Sequence, residues 1–154
     1  RYVEQKSQEI LPYLEKIIRV HGSNHPELAH VGQLFTESVG ELAKHMKKEE
    51  IVLFPAIRKM VQNPQEASLN STTLEKLKAT IETMLSEHDA EGQRFEKIAE
   101  LTKGNSVPED GCNTYRVTLA MLEEFEDDLH LHIHLENNIL FPKSISLADS
   151  LVMA

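Results

Sequence analysis

Apolar residues recur at three-, four- and seven-residue spacings in four separate stretches of this chain, and Gly, Pro, Asn and Ser gather between them. The spacing matches the 3.6-residue turn of an α-helix and predicts four amphipathic helices. The first seam runs Val3, Ile10, Leu14, Ile17 and His21, and Gly22-Ser23-Asn24 supplies its stop. Pro26 suits the first turn of a second helix, where its missing N–H costs nothing. Val31, Phe35, Leu42, Met46 and Leu53 carry that stripe towards Val61, before Asn63-Pro64 breaks it. Leu74, Leu77, Ile81, Leu85, His88, Phe95 and Ile98 make the third stripe, closed by Lys103-Gly104-Asn105. After Pro108 and Gly111, Tyr115, Leu119, Leu122, Phe125 and Leu129 open a fourth helix that reaches at least Phe141. The expected helices are approximately 1–22, 26–62, 72–103 and 112–143, and the last dozen residues receive no assignment. Four such helices joined by short turns most simply form an all-α, up-down-up-down four-helix bundle, one domain over 1–154. The alternation at His130-Leu131-His132-Ile133-His134 would also suit a strand, but acidic, leucine-rich helical sequence on both sides argues against it.

Composition narrows the function. With 154 residues, 40% of them apolar, the chain can bury a real core. The 25 acidic against 16 basic residues leave a net charge of -9, which disfavours a nucleic-acid partner, because releasing counterions from phosphates needs a basic face. A single cysteine, Cys112, excludes an internal disulfide and points to a reducing compartment. The longest apolar run, Ile51 to Ile57 and broken by Pro55, is far too short to cross a bilayer, so no membrane partner and a cytoplasmic location are expected. The oligomeric state stays open, a homodimer being one option. The sequence opens at Arg1 inside a helical pattern, and an N-terminal truncation is therefore expected.

The informative feature is a repeat. His45-Met46-Lys47-Lys48-Glu49 and His132-Ile133-His134-Leu135-Glu136 each run on to Leu-Phe-Pro, giving the skeleton H-x3-E-x3-L-F-P twice. Residues four apart share a helix face, so His45 points with Glu49 and His132 with Glu136. One turn earlier stand Glu41 and Asp128, candidates to orient each imidazole through its second nitrogen. A His with an acid four residues later is a weak signal alone, since chance gives about one such pair in this composition. The shared Leu-Phe-Pro and the position of both pairs on apolar seams favour a metal site over surface ion pairs.

Depth in the bundle follows from the turns, because antiparallel neighbours bring together residues equidistant from the turn that joins them. His45 and His88 are equidistant from the Asn63–Ser71 turn, and His88 and His132 from the edge of the Gly104–Gly111 turn. Three helices thus place a histidine in one layer. His21 falls about 26 Å along the bundle from that layer at 1.5 Å per residue. His21, His25 and His30 are accordingly read as turn and helix-start residues, and His130 and His134, rotated away from His132, as solvated rim residues. A helix-one ligand is expected at or just before Arg1. Pro55 and Pro142 remove one backbone bond each and are expected to bend their helices just beyond the site. Phe54 and Phe141 are read as packing, and Cys112 as a helix-start residue.

The candidate metal ligands are therefore His45, Glu49, His88, His132 and Glu136. Three imidazoles and two carboxylates are too many for one tetrahedral zinc and too nitrogen-rich for magnesium or calcium. Two iron ions bridged by the glutamates, with an oxo or hydroxo bridge, fit the count better, and manganese or zinc are possible substitutes. An open position would admit dioxygen, nitric oxide or peroxide.

Val20-His21-Gly22, His25-Pro26-Glu27-Leu28, His45 to Ile51 with Leu53-Phe54-Pro55, Glu87 to Gly92, and Leu135 to Pro142 together resemble the hemerythrin-like di-iron proteins of the repair-of-iron-centres type. The resemblance covers nearly the whole chain. It implies a di-iron centre on His45, Glu49, His88, His132 and Glu136 with both glutamates bridging, and a helix-one histidine just before an Arg-Tyr like Arg1-Tyr2. It also implies a role in restoring iron-sulfur clusters after oxidative or nitrosative damage, by iron donation or by nitric oxide reductase activity, with iron-sulfur proteins as recipients. The alternative is a hemerythrin that binds or senses dioxygen without turnover. That class resembles this chain in fold, but it carries two histidines four apart on its third helix, where this chain has Gly92 after His88, and an Asp on its fourth. A ferritin-like ferroxidase would show E-x-x-H on two helices, and only Glu27 to His30 fits that pattern.

Overall fold

A computed structural model describes residues 2–68 and 70–153. Among them all regular structure is helical. Helix α1 spans Tyr2–His21, α2 Glu27–Lys48, α3 Phe54–Gln62, α4 Pro64–Ser68, α5 Ser71–Leu101, α6 Asn113–Leu135 and α7 Phe141–Met153. Two π-helical segments, Glu49–Leu53 and Glu136–Leu140, join α2 to α3 and α6 to α7 without a turn. The expected second and fourth helices are thus each one long helix carrying a π interruption. The fourth runs about ten residues past its expected end, to Met153. Ser144, Ala148 and Leu151 give that extension its buried face, a sparse seam that sequence periodicity alone does not single out.

The chain divides into two compact units, residues 1–43 with 90–130, and residues 44–89 with 131–154. The first is built from α1, the front of α2, the back of α5 and the front of α6. Its core is seeded by Phe35, Phe95 and Phe125, one from each of α2, α5 and α6, with ring centroids 5.2 to 6.4 Å apart. Ile10, Leu14 and Ile17 of α1 are fully buried on the expected seam. Helices α1 and α6 are antiparallel, since Lys16 towards the end of α1 donates to Thr114 at the start of α6 while Tyr2 at the start of α1 meets Glu124 further along α6. The turn after α5 requires left-handed backbone at Lys103, Gly104 and Asn105, and Gly104 at φ +72° closes the helix by donating its N–H to the Ala99 carbonyl at 2.7 Å. Truncating Phe125 to Ala should destabilise this unit by about 3–5 kcal/mol, read by chemical denaturation.

The second unit packs α3, α4 and α7 with the front of α5 around Leu53, Met60, Leu74, Leu77, Ile81, Met84 and Phe141. Met60 takes the buried place at the end of the second stripe, and Val61, about 100° further round the helix, is exposed. No helix among the described residues is long and apolar enough to cross a membrane.

Candidate metal centre

All five expected ligands fall in the second unit. His45 stands in the last turn of α2, and Glu49 opens the first π segment one turn later. His132 lies near the end of α6, and Glu136 opens the second π segment. In both segments the N–H of the following phenylalanine reaches back five residues, Phe54 to Glu49 and Phe141 to Glu136. The wider turn sits directly ahead of Pro55 and Pro142, which cannot donate to an α-helical ladder. What the structure records ahead of the two prolines is a π turn beginning at each glutamate.

The side chains converge. His45 Nε2 is 2.7 Å from Glu49 Oε1 and 3.1 Å from His88 Nε2, which is 2.9 Å from Glu136 Oε1. One ligating atom each from His45, Glu49, His88 and Glu136 can be chosen so that all four lie within 4.8 Å of one another, and all four residues are buried. His132 is placed differently. Its side chain is 45% exposed, yet its Nε2 turns inward to 3.2 Å from Glu136 Oε1 and 3.8 Å from Glu49 Oε1. It closes the group from the rim.

Burying two carboxylates is costly unless positive charge and well-aligned donors compensate. His45 and His132 supply the charge in the metal-free protein. Burial opposes protonation of His45, but the adjacent carboxylates of Glu136 and Glu49 overcome it and hold the ring near a pKa of about 10. His132 is likewise raised to about 10, by the adjacent carboxylates of Glu136 and Glu49 working against burial. Burial pushes Glu136 up, and His132, His45 and His88 together hold it well below the usual carboxylate range. Hydrogen-bond alignment is less complete than charge balance. Glu49 Oε1 and both oxygens of Glu136 are buried with no aligned donor, although imidazole nitrogens lie close by. Buried orphaned oxygens facing inward-turned nitrogens are the donor set a cation satisfies, so these residues fit a metal.

The carboxylate behind His45 is not the expected one. Glu87, from α5, places Oε1 3.0 Å from His45 Nδ1, and Lys48 holds its other oxygen at 2.9 Å. Glu41 is exposed and Asp128 half-buried, both in the first unit. Behind His88 stands Asn137, with Oδ1 2.7 Å from Nδ1. Neither Glu87 nor Asn137 lies on an apolar seam; each is one residue from a ligand on its own helix, and only a neighbouring helix gives it a partner.

None of the remaining histidines is a member of the buried group of His45, Glu49, His88 and Glu136. His21 is buried beside Cys112 at 3.2 Å, and His25 faces Asp110 at 2.7 Å, both in the first unit. His30 and His130 are exposed, and exposed His134 contacts Asn138 on its own helix. Cys112 precedes α6 and is exposed; the His21 hydrogen bond and the Tyr115 N–H draw its thiol down to about 7. Phe141 is buried with its ring stacked on His88, and Phe54 is half-buried against the second core.

Helical architecture and clustered ligands define a class. Residues 1–144 match the hemerythrin HHE cation binding domain, and the chain belongs to that family of helical-bundle metal-binding proteins. Among curated proteins it is similar to the iron-sulfur cluster repair protein YtfE of Yersinia pseudotuberculosis, 37% identical over 94% of this chain and 60% of the relative. It is also similar to the iron-sulfur cluster repair protein ScdA of Staphylococcus epidermidis, 29% identical over 92% of this chain and 59% of the relative. The chain thus spans about 60% of the length of these curated relatives.

Proposed function

We propose that this chain is the di-iron domain of an iron-sulfur cluster repair protein acting under oxidative or nitrosative stress. The observation that carries the reading is the buried meeting of His45, Glu49, His88 and Glu136, with His132 reaching Glu136 from the rim, in a group that leaves carboxylate oxygens without aligned donors. The printed names of the relatives support repair as the task. His45, Glu49, His88, His132 and Glu136 would hold the ions, with the glutamates as bridges, and manganese or zinc could replace iron. Bound iron would supply reversible one-electron chemistry to small diatomic molecules such as nitric oxide or dioxygen. The protein's part is to bury the carboxylates, fix the imidazole orientations through Glu87 and Asn137, and leave His132 at the rim. In the nitric oxide reductase reading, two molecules of nitric oxide and two protons would give nitrous oxide and water, with the two electrons supplied by two ferrous ions that become ferric. Iron donation to a damaged cluster is the other route by which the same centre serves repair, with an iron-sulfur protein as recipient.

Metal analysis and a visible spectrum of the chain loaded with ferrous iron test this. More than one iron per chain is expected; less than one, or zinc alone, would sink the di-iron reading. Rapid oxidation in air together with nitrous oxide formation from nitric oxide supports repair. A stable, reversible oxygen adduct would favour the dioxygen-binding alternative.

A further inference from the structure

The two buried imidazoles are held from behind by partners of different charge. Glu87 faces His45 Nδ1 at 3.0 Å and is itself fixed by Lys48, whereas His88 Nδ1 is 2.7 Å from the neutral amide oxygen of Asn137. In the neutral ring that a cation would meet, both contacts favour the tautomer with hydrogen on Nδ1, which leaves Nε2 of each ring free to ligate beside the carboxylates. The stacking of Phe141 on His88, with planes 8° apart, further limits that ring's rotation. The H-x3-E repeat is broken at this level. One residue beyond its glutamate the first copy has exposed Glu50, and the second has Asn137, which reaches His88.

A carboxylate draws the ring proton more strongly than an amide does, and leaves more electron density on the far nitrogen. Resting on the metal-centre reading above, we propose that Glu87 and Asn137 are positioning residues that make His45 the stronger donor and His88 the weaker. A near-symmetric ligand set is thereby given two unequal sides by residues outside the repeat.

Chelator competition with cobalt(II) and with zinc(II) on the whole chain tests this without any assay of activity. Glu87→Gln keeps an acceptor behind His45 but removes the charge, and should weaken binding about tenfold. Asn137→Asp places a carboxylate behind His88 and should tighten binding by about the same factor. The double exchange should return affinity close to that of the unaltered chain. Thermal unfolding of the metal-free variants confirms that each is folded. A merely structural role would make both single substitutions weaken binding, and that result, or an unchanged affinity in Glu87→Gln, overturns the inference. Failure of the unaltered chain to take up either metal would instead overturn the metal-centre reading itself.

Discussion

Glu136→Gln should abolish stable metal loading and lower the stability of the metal-free protein by about 3 kcal/mol, the scale expected when one partner of a buried ionic group is removed. Glu136 is buried and within 3.8 Å of Nε2 on each of His45, His88 and His132. The substitution keeps the shape of the side chain and deletes its charge, so His45 and His132 lose the partner that each shares with Glu49. Metal content by elemental analysis and denaturant unfolding read the two effects separately. His45→Ala and His132→Ala should also lower metal content, and the His45 change should destabilise more, because His132 is half-exposed and its ion pairs are screened. His21→Ala is the control; it removes a contact to Cys112 in the first unit and should leave metal content unchanged. Retention of full metal by Glu136→Gln would count decisively against the proposed bridging role.

The second large effect is a pH dependence of opposite sign in the metal-free and metal-loaded protein. His45 is raised from 6.5 to about 10 in the folded metal-free state. The stabilisation tied to its proton is fully present below 6.5 and is lost as pH rises through about 10. Glu136 is depressed below its ordinary 4.5, so its contribution is present above that value and is lost as pH falls towards its folded pKa. Metal-free stability should therefore be greatest between 4.5 and 6.5 and decline towards pH 10. A cation must displace the protons on His45 and His132, so its affinity should climb by about tenfold per pH unit for each proton released, up to about 10. Melting curves with and without metal across that range should diverge as pH rises. A gap that narrows instead would show that the imidazoles do not bind the cation.

Much of the fold and of the candidate site is legible in the chain. Ile10, Leu14, Ile17, Phe35, Phe95 and Phe125 sit on stripes that periodicity alone defines, because a helix repeats its face every three or four residues. The same rule pairs His45 with Glu49 and His132 with Glu136, and distance from the turns brings His88 to them. The π segments left no such mark. Widening one turn by a residue needs only a backbone carbonyl to accept from five residues on, and Pro55 and Pro142 hint at it only in hindsight. The exposure of Val61 beside buried Met60 was also beyond a periodicity read to the nearest turn.

Local repeat and donor chemistry are enough to set the helical class, the seams and the residue types that a cation would meet. Tertiary structure decided what stands behind each ligand. An acid one turn away on the same helix, such as Glu41, looks the natural partner for His45 on paper. Glu87 takes that place because packing brings α5 alongside the end of α2 and aims a carboxylate at Nδ1 from 3.0 Å. Contacts of that kind join residues far apart in the chain through side-chain directions that only the packed helices fix, and no spacing rule contains them.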